Sequence, residues 1–138
     1  MAPRTRLYLA IALGGALGSV ARHLCALAGI ALLGPAFPWG TLGVNVADSF
    51  LIGLYATLTG PDGRVFATPA MRQGVMGGFC GGFTTFSVFS LESVKLLEAG
   101  QWGLAALNVA VSVATWLPAA WLGHRLAHRM NRLRGRRA

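Results

Sequence analysis

The stretch GGFCGGFTTFSVFS, residues 77 to 90, decides how this chain folds. It lies in a run apolar enough to cross a membrane. Yet it holds four glycines, four phenylalanines and three small hydroxyl residues ahead of its last Phe. Gly74, Gly78 and Gly82 fall four apart, as do Gly77 and Gly81. That is the small-xxx-small spacing of closely packed membrane helices. The same glycines weaken a helix by about 1 kcal/mol each relative to Ala, and Thr84 and Thr85 follow at once, able to bond backbone carbonyls. The segment therefore reads either as a packing face or as a helix break. A break persists in a membrane only where protein or a water-filled cavity satisfies the freed groups, and freed carbonyls are ligands for a hard cation. Phe79, Phe83, Phe86 and Phe89 share one face of an unbroken helix, as core residues would. On a polar pathway their positive ring edges would instead touch an anion without trapping it, as conduction requires.

The surrounding sequence supplies the setting. Of 138 residues, 54% are hydrophobic and 12% charged, against about a quarter charged in soluble domains. The acids are Asp48, Asp62, Glu92 and Glu98, too few to cover a soluble surface. Four stretches reach the roughly 20 residues that a membrane helix needs: about 7–30, 39–58, 70–97 and 102–123. Short Gly/Pro segments join them, among them GPAFP at 34–38 and Gly60-Pro61-Asp62-Gly63. The expected fold is a single domain, 1–138: an all-α membrane protein of four transmembrane helices, the third either a close-packed span or a broken helix, with a basic C-terminal tail at 124–138. Arg4, Arg6 and the sequence Ser19-Val20-Ala21 imitate a cleavable signal peptide. Apolar sequence resumes at Leu24, however, so the first span is kept.

The net charge of +8 does not indicate nucleic acid. Six of the twelve basic side chains follow residue 124, where a basic run after a span anchors against anionic lipid. Arg4, Arg6, Arg64, Arg72 and the six tail arginines fall on one side of the membrane, and the other has Lys95 at most, plus Arg22 if it reaches that interface. This bias predicts a multi-pass cell-membrane protein with both termini in the cytoplasm. Cys25 and Cys80 are isolated, and His124 and His128 lack an acidic or Cys companion. The sequence thus offers no disulfide framework and no metal cluster. No nucleophile–base pair suggests an enzyme.

Polar residues inside the spans are the candidate site. Thr41, Asn45 and Asp48 (or Ser49) line one face of the second span, and Asn108, Ser112 and Thr115 line one face of the fourth, ahead of Pro118. They either hydrogen-bond helix to helix or wall a wet pathway.

GGALGSVARH (14–23), GTLGVNVADSF (40–50), GGFCGGFTTFSVF (77–89), NVAVS (108–112) and WLG (121–123) together resemble the Fluc/CrcB fluoride channels of microbes. The resemblance covers nearly the whole chain in order. It implies an antiparallel dimer with two pores, passively and selectively exporting fluoride from the cytoplasm. By position, Asn45, Phe86 and Phe89 would contact fluoride, Thr41 and Ser112 would belong to a polar track, and Arg22 would stand near an aqueous vestibule. At a break in the third helix, backbone carbonyls of Gly81 and Thr84 would hold a structural sodium ion at the dimer interface. Three residues depart from the family pattern: Asp48 where Gly is usual, Asn108 where Tyr is frequent, and Trp116 where a small polar residue can occur. An ionised, pore-facing Asp48 would repel fluoride; protonation or pairing with Arg22 would remove the objection. The one-sided charge favours insertion in one direction and pairing with a homologous chain of opposite bias. The alternatives are a small multidrug-type proton-coupled transporter, with Asp48 its only candidate acid in the second span, and a non-conducting assembly subunit.

Overall fold

A computed structural model describes residues 3–135. The helices are α1 (Pro3–Leu33), α2 (Trp39–Leu58), α3 (Pro69–Gln73), α4 (Gly81–Phe83), α5 (Phe86–Glu98) and α6 (Trp102–Gly135), with π-helical turns over Gly74–Cys80 between α3 and α4. No strand occurs among the described residues. Four stretches are long and apolar enough to cross a membrane: Arg4–Leu33, Trp39–Leu58, Pro69–Glu98 and Trp102–Arg132. Four crossings return the C-terminal end to the face on which the chain starts. Glycines at positive φ close two of the turns, Gly34 (82°) after α1 and Gly100 (71°) after α5. α6 passes through Pro118 without ending. The basic segment that begins at His124 continues as helix as far as Gly135, and Arg136 and Arg137 lie outside the described residues.

The bundle is apolar outside and polar at its centre. Leu13, Leu17, Leu24, Leu32 and Leu117 face outward, whereas the largest fully buried side chains are Asn108, Asp48 and Ser112. Hydrocarbon solvates the leucines, and polar groups turn inward because lipid gives them no partner.

The glycines of the quoted stretch serve the packing. A Cβ on Gly14 would strike the Gly74 carbonyl, one on Gly18 the Phe79 carbonyl, one on Gly82 the Gly15 backbone, and one on Gly78 would lie 2.7 Å from the Ile11 carbonyl. The contacts advance from Ala10 against Gly74 to Gly18 against Phe83, so α1 and the third span run parallel, backbone to backbone. Gly53 and Gly123 join α2 to α6 in the same way, against Ala120 and Phe50. Gly77 and Gly81, on the other face of the third span, are exposed.

Candidate functional site

The third span does break, and the threonines make the break. The backbone stays helical through Phe83 and only then turns extended, at Thr84 (φ −71°, ψ 159°) and Thr85 (φ −154°, ψ 118°). The Thr85 hydroxyl caps α5 by accepting from the Val88 amide at 3.0 Å, the usual service of Thr at an N-cap. The Thr84 hydroxyl donates to the Cys80 carbonyl at 2.9 Å.

Asn45 of α2 closes the gap. Its Oδ1 accepts from the Thr85 amide at 2.9 Å, and its Nδ2 donates to the Thr85 carbonyl at 3.0 Å. A side-chain amide thereby replaces a missing stretch of helix ladder, and Asn45 is 5% exposed. In a continuous helix the Gly81 carbonyl would accept from the Thr85 amide, and the Thr84 carbonyl from the Val88 amide. Both donors are diverted to side chains. Those two carbonyls lose their helical donors and keep acceptor capacity, and carbonyl oxygen is the kind of ligand a hard cation takes.

Beside the break lies a hollow of about 220 Å³ lined by Asn45, Ser49, Thr84, Thr85, Phe86 and Trp116. The Phe86 ring is 72% exposed, while Phe89 is 7% exposed. The rings form a ladder: Phe86 to Phe89 at 5.5 Å, then Phe89 to Trp116 at 5.0 Å in a T-shaped contact. Phe79 and Phe83 stack on each other at 5.5 Å instead. The break turns one aromatic face into two separate pairs.

A second hollow, of about 240 Å³, lies between α5 and the turn that joins α1 to α2, lined by Phe37, Thr41, Glu92 and Lys95 among others. There Thr41 donates to Glu92 Oε1 at 2.9 Å, and Glu92 Oε2 is buried without a partner among the described residues. Thr41 and Asn45, one helical turn apart on α2, lead from this hollow to the first.

The structure thus gathers Asn45 and Phe86 round one hollow, sets Phe89 behind them and puts Thr41 one turn away. Ser112 is fully buried and its hydroxyl has no partner among the described residues; the same holds for the Trp116 indole N–H. Asn108 donates to the Ser93 hydroxyl at 3.0 Å and ties α6 to α5. Thr115 bonds its own helix at Val111. Arg22 stands apart from both hollows and donates from Nε to the Gly82 carbonyl at 3.2 Å. It does not pair with Asp48. That carboxyl is 1% exposed and lies against the Cys80 thiol, inside the bundle rather than on either hollow.

One residue of the site went unread in the sequence: Glu92 is an acid inside a span, a functional candidate on that ground alone. Thr85 was read as part of the break but not as the cap of α5, although it precedes an apolar helical run, the position of an N-cap.

Known proteins resemble this chain over most of its length. The sequence model of the family described as "CrcB-like protein, Camphor Resistance (CrcB)" matches residues 9–124. The chain is 54% identical over 132 residues to "Fluoride-specific ion channel FluC 1" of Rhodopseudomonas palustris (strain BisB18), covering 96% of this chain and 94% of that protein. It is 54% identical over 131 residues to "Fluoride-specific ion channel FluC" of Opitutus terrae, covering 94% and 98%. To "Fluoride-specific ion channel FluC 4" of Brucella suis it is 45% identical over 131 residues, covering 95% and 96%.

Proposed function

The chain belongs to the CrcB-like family, and on that footing we propose that it is a fluoride channel, not an enzyme, which passively and selectively exports the ion and lowers its cytoplasmic concentration. The observation that carries the reading is the Asn45 bracket on Thr85 at the helix break. It fixes a polar backbone turn and an exposed Phe86 ring round one hollow at mid-membrane. Asn45 has a second amide hydrogen for an anion, Phe86 and Phe89 supply positive ring edges, and Thr41 and Ser112 extend the polar line. Arg22 acts from the other side of the third span, through the Gly82 carbonyl. Asp48 is turned away from the hollows, which supports an anion route despite its acid.

The unit is an antiparallel dimer. Phe86 and the Gly77–Gly81 face are uncovered at mid-membrane in the single chain, and a small-residue face of this kind suits close helix association. A sodium ion on the dimer axis would be held by the Gly81 and Thr84 carbonyls, where it would tie the two breaks together. Both termini lie in the cytoplasm. With ten basic residues on that side, the chain inserts in one direction and pairs with a homologue of opposite bias.

The multidrug-type alternative took Asp48 as its acid, and Asp48 at 1% exposure meets neither water nor cargo; Glu92, the acid that does line a hollow, is engaged by Thr41. The non-conducting alternative is decided by assay.

Fluoride efflux from liposomes, with and without a partner homologue, is the direct test. Efflux that falls at least tenfold in Phe86→Ile, with assembly retained, fits the proposal. No fluoride flux under either condition would overturn it, and proton-coupled drug efflux would replace it. Full activity from this chain alone, or C-terminal reporters seen equally from both sides of the membrane, would remove the heteromeric arrangement.

A further inference from the structure

α6 carries its own membrane ruler. Trp102 and Trp121 are both exposed and stand 19 residues apart, about 28 Å along a helix. That is close to the roughly 30 Å of a hydrocarbon core, and Trp collects at both membrane interfaces. Trp121 therefore marks one boundary. Arg125 lies about 6 Å beyond it and Arg129 about 12 Å beyond, at the level of the phosphate headgroups.

The two arginines border a built hollow. Phe50 of α2 and Trp121, Leu122, Arg125, Leu126 and Arg129 of α6 line a groove of about 390 Å³. Its floor is apolar and its outer end cationic. Arg125 sits over the Trp121 ring at 4.7 Å, which fixes its guanidinium beside the groove. A second hollow shares Trp121, Arg125 and Arg129 and adds His124, His128 and Arg132. The carboxylate that borders this cluster, Asp62, shares a hollow with His128 and Arg132, not with Arg125 or Arg129. Uninterrupted helix is what puts residues 121, 125, 129 and 132 in one row. A flexible tail would scatter them.

We propose that this groove seats an anionic phospholipid, its phosphate on Arg125 and Arg129 and one acyl chain along Phe50, Leu122 and Leu126. Arginine forks match phosphate oxygens in pairs, and the apolar floor distinguishes a lipid from a free anion. The inference rests on the four membrane spans and not on fluoride conduction. The lipid would bridge α2 and α6, the two helices that carry Thr41, Asn45 and Ser112.

Tryptophan fluorescence in vesicles tests it, with brominated phosphatidylglycerol or brominated phosphatidylcholine as quencher. The quenching absent from Trp121→Phe reports the groove. Phosphatidylglycerol should be preferred at least fivefold there. The preference should fall below twofold in Arg125→Gln/Arg129→Gln and stand in Arg4→Gln/Arg6→Gln, which removes equal charge from the same membrane face. Equal quenching by both lipids in the unsubstituted protein overturns the proposal. So does equal loss in the two double variants, the sign of diffuse surface attraction. Loss of the preference on adding millimolar inorganic phosphate at constant ionic strength would assign the arginines to a free anion, and overturns it too. Should the first double variant fail to fold, Arg129→Gln alone must lower the preference at least twofold; an unchanged preference counts as refutation.

Discussion

The two halves of the third span differ in what holds them. From Pro69 to Phe83 the chain is fastened mainly by absence: Gly74, Gly78 and Gly82 let its backbone lie on α1. Bonds from Arg72 to the end of α2 and from Arg22 to the Gly82 carbonyl add to it. From Phe86 to Glu98 it is fastened by presence, through the Thr85 cap, the Asn45 bracket, the Thr41–Glu92 bond and the Phe89–Trp116 contact. The glycine half is close-packed on the face it turns to α1, which tolerates no added atom there. The aromatic half is held by discrete polar links and leaves hollows between them. Only the second kind of fastening leaves room for an ion.

Substitutions can break this contrast from either end, and the largest effect is expected in the glycine half. Gly78→Leu inserts four carbons against the Ile11 backbone and should cost about 3 kcal/mol, seen as loss of monodisperse protein in detergent. A stable, well-folded Gly78→Leu would show that α1 can move away. Asn45→Ala comes next, because it leaves the Thr85 amide and carbonyl buried without partners, a cost of about 2 kcal/mol. Thermal unfolding and fluoride efflux should both fall; unchanged thermal stability would mean that water replaces the bracket.

Thr85→Ala removes the α5 cap and should cost about 1 kcal/mol, with Thr85→Ser restoring most of the loss. If Ser and Ala prove equal in thermal unfolding, the hydroxyl does not cap α5. The smallest effect is expected at Gly81, whose added Cβ would find its nearest neighbour at 3.9 Å, the Met76 carbonyl. Gly81→Ala should change folding of the chain by less than about 0.5 kcal/mol, yet weaken dimerisation measured by dilution in detergent. Undisturbed association would take this face out of the interface.

Much of this architecture was legible beforehand. Apolar runs set four spans, and glycines at fourfold spacing announced close packing. Thr41, Asn45 and Ser112 turned inward as their polarity demands in lipid. The sequence left open which residues broke the third helix. Gly77, Gly78, Gly81 and Gly82 were candidates beside the threonines, because propensity measures only the cost of helix. Packing against α1 outweighed that cost, and the backbone stayed helical until Thr84. Asp48 shows the same limit from another side. Its spacing put it on the face of Thr41 and Asn45, but helix periodicity resolves a face only to about a third of a circle, and the residue ended against Cys80, away from Arg22.

Composition alone determined that this chain lives in a membrane, and motif order alone carried the family resemblance, since both depend on which residues are present and in what sequence. The join at the break was decided only by the tertiary structure. Asn45 and Thr85 are forty residues apart, and nothing local to either requires the other. They meet because glycines on α1, α2, the third span and α6 let four backbones approach closely enough for one side chain to complete another helix's ladder.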